Sequence, residues 1–428
     1  MKQHPMIQAL RELRGNPKAC VLTEPLWGIP HTLFIPFASV YMLALGLSDV
    51  HVGLVASLLL FVRAGSAVIS GAITDKLGRR RATLIFDIIS WSAPCLLWAL
   101  AQNVWWFYAA ALLNGLWQVT DNAWTCLLVE DAENRMIVHI YSWVYVSGQL
   151  SVFFAPLSGQ LVGRLTLIPA LRILYAFSFV SMTLKAIILY RYCDETKTGK
   201  VRLRETRGKS LLSVLSEYRE LIPRFFRSGD MRLATALSVL LIVANTIMDS
   251  FFGIYTTQRL GIPDYYLAYF PIIRSAIMLV FLFFIQPHIM RFGFKGPMLV
   301  GMTLYIVSHL LLVFLPLANV GGGMLVPALY TVVQACAHGL VMPRRDSIVA
   351  LCLDQKERAR MTSIMTVMML SITIPFGYIA GRLSEMDRNL PFALNIALFL
   401  IAFIAVLTSS KLRRGGDLEA RLERERET

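Results

Sequence analysis

The sequence predicts an all-α membrane protein with twelve transmembrane helices arranged as two pseudo-symmetric six-helix halves. Three observations carry that prediction. Apolar runs of about 20 residues, the length that crosses a roughly 30 Å hydrocarbon core as helix, recur along nearly the whole chain. The 428 residues are 56% hydrophobic and only 16% charged, with a mean hydropathy of +0.59, too apolar for a water-soluble domain. Finally, 31 of the 41 Lys and Arg lie on alternating connections: the N-terminus, every second loop and the C-terminus.

Hydropathy places the spans at 26–47, 52–74, 83–102, 104–129, 138–162, 169–190, 232–256, 266–288, 297–317, 323–350, 362–381 and 391–410. The first 24 residues are polar and basic, and the apolar run after them is long enough to be a span, so an uncleaved signal anchor is expected. The opposite connections hold Arg164, Arg172, Arg259, Arg382 and Arg388, while Arg63, Lys185, Arg274, Arg344 and Arg345 sit within spans. The positive-inside rule then puts both termini in the cytoplasm of a multi-pass cell-membrane protein. The same distribution assigns the net charge of +14 to topology and excludes a nucleic-acid partner.

Residues 1–190 form the first half, 191–231 a cytoplasmic linker, and 232–428 the second half with a cytoplasmic tail. The later linker, S-L-L-S-V-L-S-E-Y-R-E-L-I-P-R-F-F, has apolar residues at helical spacing and predicts an amphipathic helix on the anionic inner leaflet. The tail, K-L-R-R-G-G-D-L-E-A-R-L-E-R-E-R-E-T, alternates sign and predicts a short solvated helix. Offsetting the halves by 215 positions lays L-G-L-S-D (Leu45 to Asp49) on L-G-I-P-D (Leu260 to Asp264) and Gly78 on Gly293. Two homologous halves with a substrate site between them near the midplane are the economical explanation. The six cysteines show no C-x-x-C pair, so no disulfide or metal framework is expected. No G-x-x-x-x-G-K-[ST] loop occurs, which argues against ATP-driven transport, and no cofactor is expected.

Between spans 2 and 3 lies G-A-I-T-D-K-L-G-R-R-R (Gly71 to Arg81), four bases and an acid that only a water-facing loop tolerates. The pattern G-x-x-x-D-[RK]-x-G-R-[RK] is met by Gly71, Asp75, Lys76, Gly78, Arg79 and Arg80. On these residues the chain resembles the bacterial secondary transporters of the major facilitator superfamily, over all twelve spans. The resemblance implies a monomeric, non-enzymatic transporter of a small molecule working by alternating access, with protons as a second partner. It also implies that helices 1, 4, 7 and 10 line the cavity, 2, 5, 8 and 11 form the interface between halves, and 3, 6, 9 and 12 support them. Gly71 would let helix 2 approach a neighbour closely, and Gly78 would supply a positive φ. By the same resemblance, Asp75 faces the N-terminal end of helix 11. Arg79 pairs with an acid ending helix 4, Glu130 or Asp131, and the loop latches the outward-facing state. The counterpart in the second half, M-R-F-G-F-K-G (Met290 to Gly296), has methionine in place of Asp75, so the latch is expected to be one-sided.

Charges inside the membrane are functional-site candidates by default. Asn114, Gln118 and Asp121 of span 4 share a helical face, expected to line the cavity. A register set by Arg135-Met136 on Arg360-Met361 lays Asp121 on Asp346, beside Arg344 and Arg345. These two carboxylates read equally as a cavity pair or as gate salt bridges. Asp249, mid-span 7 with Asn245 one turn before it, reads as a proton carrier or as a structural carboxylate. His338, two turns before Asp346, is the best-placed histidine for a proton relay. Arg63 and Arg274, on equivalent helices 2 and 8, resemble the two-arginine clamp of nitrate transporters, although the glycine-rich signatures of those proteins are absent. They serve equally well to neutralise Asp121 or Asp249. Span 5 keeps A-P-L-S-G (Ala155 to Gly159), a degraded antiporter signature that tilts the reading toward export. The leading expectation is therefore proton-coupled export of a small organic compound. The alternatives are an anion transporter using Arg63 and Arg274 and, remotely, a non-transporting receptor.

Overall fold

The computed structural model describes residues 12–206, 229–289, 293–317, 323–352 and 358–409. The expected amphipathic linker helix and the sign-alternating tail lie outside them. Twelve membrane helices are present among the described residues. Ten are single stretches long and apolar enough to span: α1 Gly15–Ala44, α2 Asp49–Leu77, α3 Arg79–Leu100, α6 Leu167–Tyr192, α7 Gly229–Ile254, α8 Asp264–Ile285, α9 Lys295–Leu317, α10 Leu325–Cys352, α11 Arg358–Met386 and α12 Leu390–Thr408. The other two are split: α4 into Val104–Asn114 and Trp117–Val129, and α5 into Asn134–Val152 and Ala155–Leu165.

Both splits have local causes. In α4, Gly115 sits against α2, where a Cβ would fall 2.6 Å from Val62 Cβ, and Ser66 Oγ donates to the Gly115 carbonyl at 2.8 Å. A side-chain hydroxyl thus takes the acceptor that the break frees. In α5, Pro156 lacks the N–H that a continuous helix needs and opens the second segment instead. The first helix starts well before the expected residue 26, because the polar-looking opening turns bury a face. Leu13, Cys20 and Val21 pack with Leu127, Leu128, Ile140 and Leu189. Glu24 is thereby drawn into the protein, and is 8% exposed.

Contacts divide the molecule into two compact units. One comprises α1, α2 from Val55 onward, α3 to α6, and a short linker helix Lys197–Glu205; the other comprises α7 to α12 with Ser48–Leu54, the opening of α2. In the first unit, α1 packs on α5 and α6, and α3 on α4 and α6. In the second, α7 packs on α11 and α12, and α9 on α10 and α12, so the same pairing scheme occurs twice. Glycines set the closest approaches in both: Gly28 lies on Ser151, Gly301 on Val341 and Gly339 on Phe281. Small residues do this in membranes because lipid tails are as apolar as leucine, leaving close packing to hold helices together.

Candidate functional site

Three clusters of polar side chains carry the chemistry. The first is the loop joining α2 to α3. Gly78 takes φ +81°, the left-handed conformation that only glycine adopts without strain. The buried Arg79 guanidinium donates to Asp75 Oδ1 at 2.8 Å and grips Glu130 of α4 with Nε and Nη2, at 3.0 to 3.2 Å. Arg80 Nε donates to the Tyr190 carbonyl at 2.8 Å, and its guanidinium stacks 4.3 Å from the Tyr190 ring. Glu195, just after α6, accepts from the backbone N–H groups of Arg79 and Arg80. Asp131 accepts from the backbone of Lys197 at 3.2 Å, and Lys76 is exposed. The loop is thus tied to α4 and to the start of the linker. Gly71 departs from expectation: a Cβ there would meet nothing within 4 Å. The tight approach on α2 is at its other end, where a side chain on Gly53 would drive into the Gly377 carbonyl of α11.

The second cluster is a cavity of about 200 Å³ in the first unit, walled by indoles of Trp27, Trp91, Trp117 and Trp124. Trp91 stands edge-on to Trp27 at 5.1 Å and tilts against Trp117 at 6.0 Å. Glu24 and Lys185 reach the cavity as a buried ion pair, 3.1 Å apart. Asp87 and Asp121 complete its charged lining. Asp121 Oδ2 accepts from Gln118 Nε2 at 3.4 Å, and Gln118 Oε1 accepts from Arg63 Nε at 3.3 Å. The Arg63 guanidinium lies 4.1 Å above the Trp117 ring. Asp87 Oδ2 is buried without a hydrogen-bond partner among the described residues, as are the Trp27 and Trp124 indole N–H groups. Immediately after Asp87, α3 widens into a π-turn, Ile88–Ser92, an irregularity frequent at functional sites.

In the second unit, Arg274 Nη2 donates to His338 Nδ1 at 3.3 Å, and Tyr305 Oη lies 3.2 Å from the same nitrogen. Asp249 is exposed although it lies mid-span on α7, and Asn245 one turn earlier is half-buried. A carboxylate exposed at that depth faces water, since facing lipid would cost several kcal/mol. Arg344 is buried and donates to the carbonyls of Leu340, Ile289 and Gly293, holding α10 to the end of α8. His309 is buried among Tyr305, Tyr330 and Asn395.

Two expectations about α4 and α10 change. Asn114 is buried and donates to the Ser90 carbonyl at 2.7 Å, so it serves α3–α4 packing. The cavity stripe on α4 is Trp117, Thr120, Asp121 and Trp124. The break at Gly115 is the reason, because it resets the helical phase between Asn114 and Asp121. Asp346 is exposed and ion-paired with the adjacent Arg345 at 3.2 Å, whereas Asp121 is half-buried and lines the cavity, so the two carboxylates do not stand in equivalent surroundings.

Sequence comparison agrees with this architecture. A family model described as the Major Facilitator Superfamily matches residues 28–378. The chain belongs to the major facilitator superfamily. An uncharacterized MFS-type transporter, YqjV of Bacillus subtilis (strain 168), is 29% identical over 134 residues, 31% of this chain and 32% of that protein. The chain thus spans about a third of the curated relative it matches. Among solved structures, the nucleoside transporter NupG superposes with TM-score 0.68 at 16% identity, covering 93% of this chain and 100% of that one. A POT family transporter in complex with 5-aminolevulinic acid gives 0.71 at 14%, covering 94% and 96%. These identities establish the fold alone.

For this superfamily member, then, the structure joins Arg63, Gln118 and Asp121 into one chain of contacts, and Arg274 with His338. Arg274 also acts electrostatically on Asp249, and Arg345 on His338, without a hydrogen bond in either case, while Asp346 pairs with Arg345. Glu24, Asp87, Lys185, Trp27 and Trp91 are the site residues that sequence reasoning passed over. Their signal was present: Asp87 and Lys185 are opposite charges inside spans, each expensive without a partner. Glu24 was hidden by its place in a polar-looking opening.

Proposed function

We propose that this member of the superfamily is a proton-coupled secondary transporter that exports a small organic molecule across the cell membrane by alternating access, with both termini cytoplasmic. The observation that carries the proton is Asp249, exposed at mid-span with no hydrogen bond or ion pair among the described residues. A water-facing carboxylate at that depth can take up a proton and lose it again without breaking a structural contact. Asp121 is the second coupling candidate, reached through Gln118 by Arg63. Export rests on A-P-L-S-G, whose Pro156 opens the second segment of α5 and whose Gly159 is buried. The gate loop adds a cycling role to Asp75: Asp75→Asn should slow turnover while leaving equilibrium binding measurable.

The test is proton flux in proteoliposomes loaded with a pH-sensitive dye, screened against organic cations, anions and neutral compounds. A substrate-dependent proton flux lost in Asp249→Asn and kept in Arg274→Gln supports the reading. The second reading, anion transport, is favoured by Arg63 and Arg274, neither of which forms an ion pair within 4.0 Å among the described residues. Saturable anion uptake that survives Asp249→Asn and disappears in Arg63→Gln would replace the first reading with this one.

A further inference from the structure

The indole-walled cavity of the first unit has a chemistry that the coupling roles of Asp249 and Asp121 leave unused. Three carboxylates (Glu24, Asp87, Asp121) stand against two bases (Lys185, Arg63), which leaves one negative charge when all are ionised. Glu24 and Lys185 satisfy each other at 3.1 Å. Asp121 and Arg63 are bridged by Gln118. Lys185 is shared electrostatically between Glu24, which it contacts, and Asp87, which it does not. The surplus therefore falls mainly on Asp87, which is 5% exposed, lines the cavity and has Oδ2 without a hydrogen-bond partner among the described residues. An unpaired carboxylate is costly to keep in a membrane interior, and a visiting cation removes that cost.

The walls suit the same visitor. The Trp117 ring already carries Arg63, and Lys185 lies 5.8 and 5.3 Å from the Trp27 and Trp124 rings. Trp91, which stands at 81° to Trp27, is therefore the cavity indole without a resident cation among the described residues, and an electron-rich ring of this kind attracts organic ammonium groups. The unpartnered indole N–H groups of Trp27 and Trp124 add donors for an acceptor on the ligand body. Size agrees too, since a cavity of about 150 Å³ holds benzene and this one measures about 200 Å³.

We propose that this cavity is a binding site for an organic cation, a protonated amine on an aromatic or compact apolar body, with Asp87 as counter-ion and the tryptophans as walls. This rests on the reading of the chain as a small-molecule transporter and names the substrate class.

Three nearly isosteric probes isolate the charge: 2-phenylethylammonium, 2-phenylethanol and phenylacetate, tested on the full chain in detergent by thermal shift and titration calorimetry. The ammonium should raise the unfolding temperature and bind about tenfold or more tighter than the alcohol, a difference of about 1.4 kcal/mol. Phenylacetate should not bind. Asp87→Asn and Trp91→Leu should each weaken ammonium binding about tenfold; should Asp87→Asn not fold, Trp91→Leu carries the comparison. The proposal is overturned if the alcohol binds as well as the ammonium, if phenylacetate binds best, if sodium chloride reproduces the shift, if no probe binds, or if folded variants bind like the parent. Ammonium binding without any coupled proton flux would instead defeat the proton-coupled reading and leave the cation site standing.

Discussion

The Glu195 carboxylate accepts the backbone N–H groups of Arg79 and Arg80, at 3.0 and 3.2 Å, and so caps the start of α3 from beyond the end of α6. The cap is built from the linker, across 116 residues of sequence. It meets the positive end of a helix whose opening residues are three arginines, where a carboxylate satisfies orphan donors and charge together. Glu195→Ala should lower stability by about 1–2 kcal/mol, the range for a lost N-cap. Thermal unfolding in detergent checks this, and Glu195→Gln, which keeps an acceptor oxygen, should recover part of the loss.

Gly53 and Gly71 lie on the same helix in opposite environments. A side chain at Gly53 meets the backbone of Gly377, and one at Gly381 would lie 2.8 Å from the Asp49 carbonyl, whereas Gly71 faces open space. Gly53→Val and Gly381→Val should abolish transport and depress the unfolding temperature, because the obstacle is backbone. Gly71→Ala should fold and transport like the parent, which a paired expression and flux comparison reads directly.

Asp49 is held by Arg388 at 3.3 Å and by Ser384 Oγ, with its carboxylate 6% exposed. Arg388→Leu would leave that carboxylate buried with one hydroxyl, a deficit of about 3–5 kcal/mol for a broken buried pair. Arg388→Leu combined with Asp49→Asn should be more stable than Arg388→Leu alone. Thermal unfolding of the single and double variants decides it; equal stability would mean that the pair is not coupled.

Lys185 serves Glu24 directly and lies 5.3 Å from the Trp124 ring. Lys185→Met should destabilise the first unit strongly, since Glu24 would lose its partner and Asp87 a nearby positive charge. Adding Glu24→Gln should restore much of the loss, a non-additivity of about 0.5–3 kcal/mol in a double-mutant cycle. Additive effects would sink the idea that the two charges stabilise each other.

Much of the architecture was legible because the bilayer is a simple solvent. It demands spans of fixed length, confines charge to the ends and sorts Lys and Arg by side, so counting apolar runs and bases was enough for twelve helices. The positive φ of Gly78 was legible too, because so short a turn needs it, whereas the acid for Arg79 came from the family resemblance, which left Glu130 and Asp131 open until the structure chose Glu130. Which polar groups meet inside the bundle was not legible. Asn114 and Asp121 look like neighbours on one helical face, but the Gly115 break sends one to Ser90 and the other to the cavity. Asp346 looked like the symmetry equivalent of Asp121 by repeat register, yet its side chain stands exposed beside Arg345.

By itself, then, the sequence determined what the solvent imposes: a membrane protein, its span count, its internal duplication and the charged composition of the loop between its second and third helices. Only the tertiary structure decided which charges are satisfied. Glu24 finds Lys185 across 161 residues, Arg79 finds Glu130 across 51, and Asp87 Oδ2 finds no hydrogen-bond partner among the described residues. The physical reason is that helix periodicity fixes which face a residue shares. The opposite wall is chosen by packing between helices distant in sequence, where a single glycine break or proline start moves it to a different neighbour.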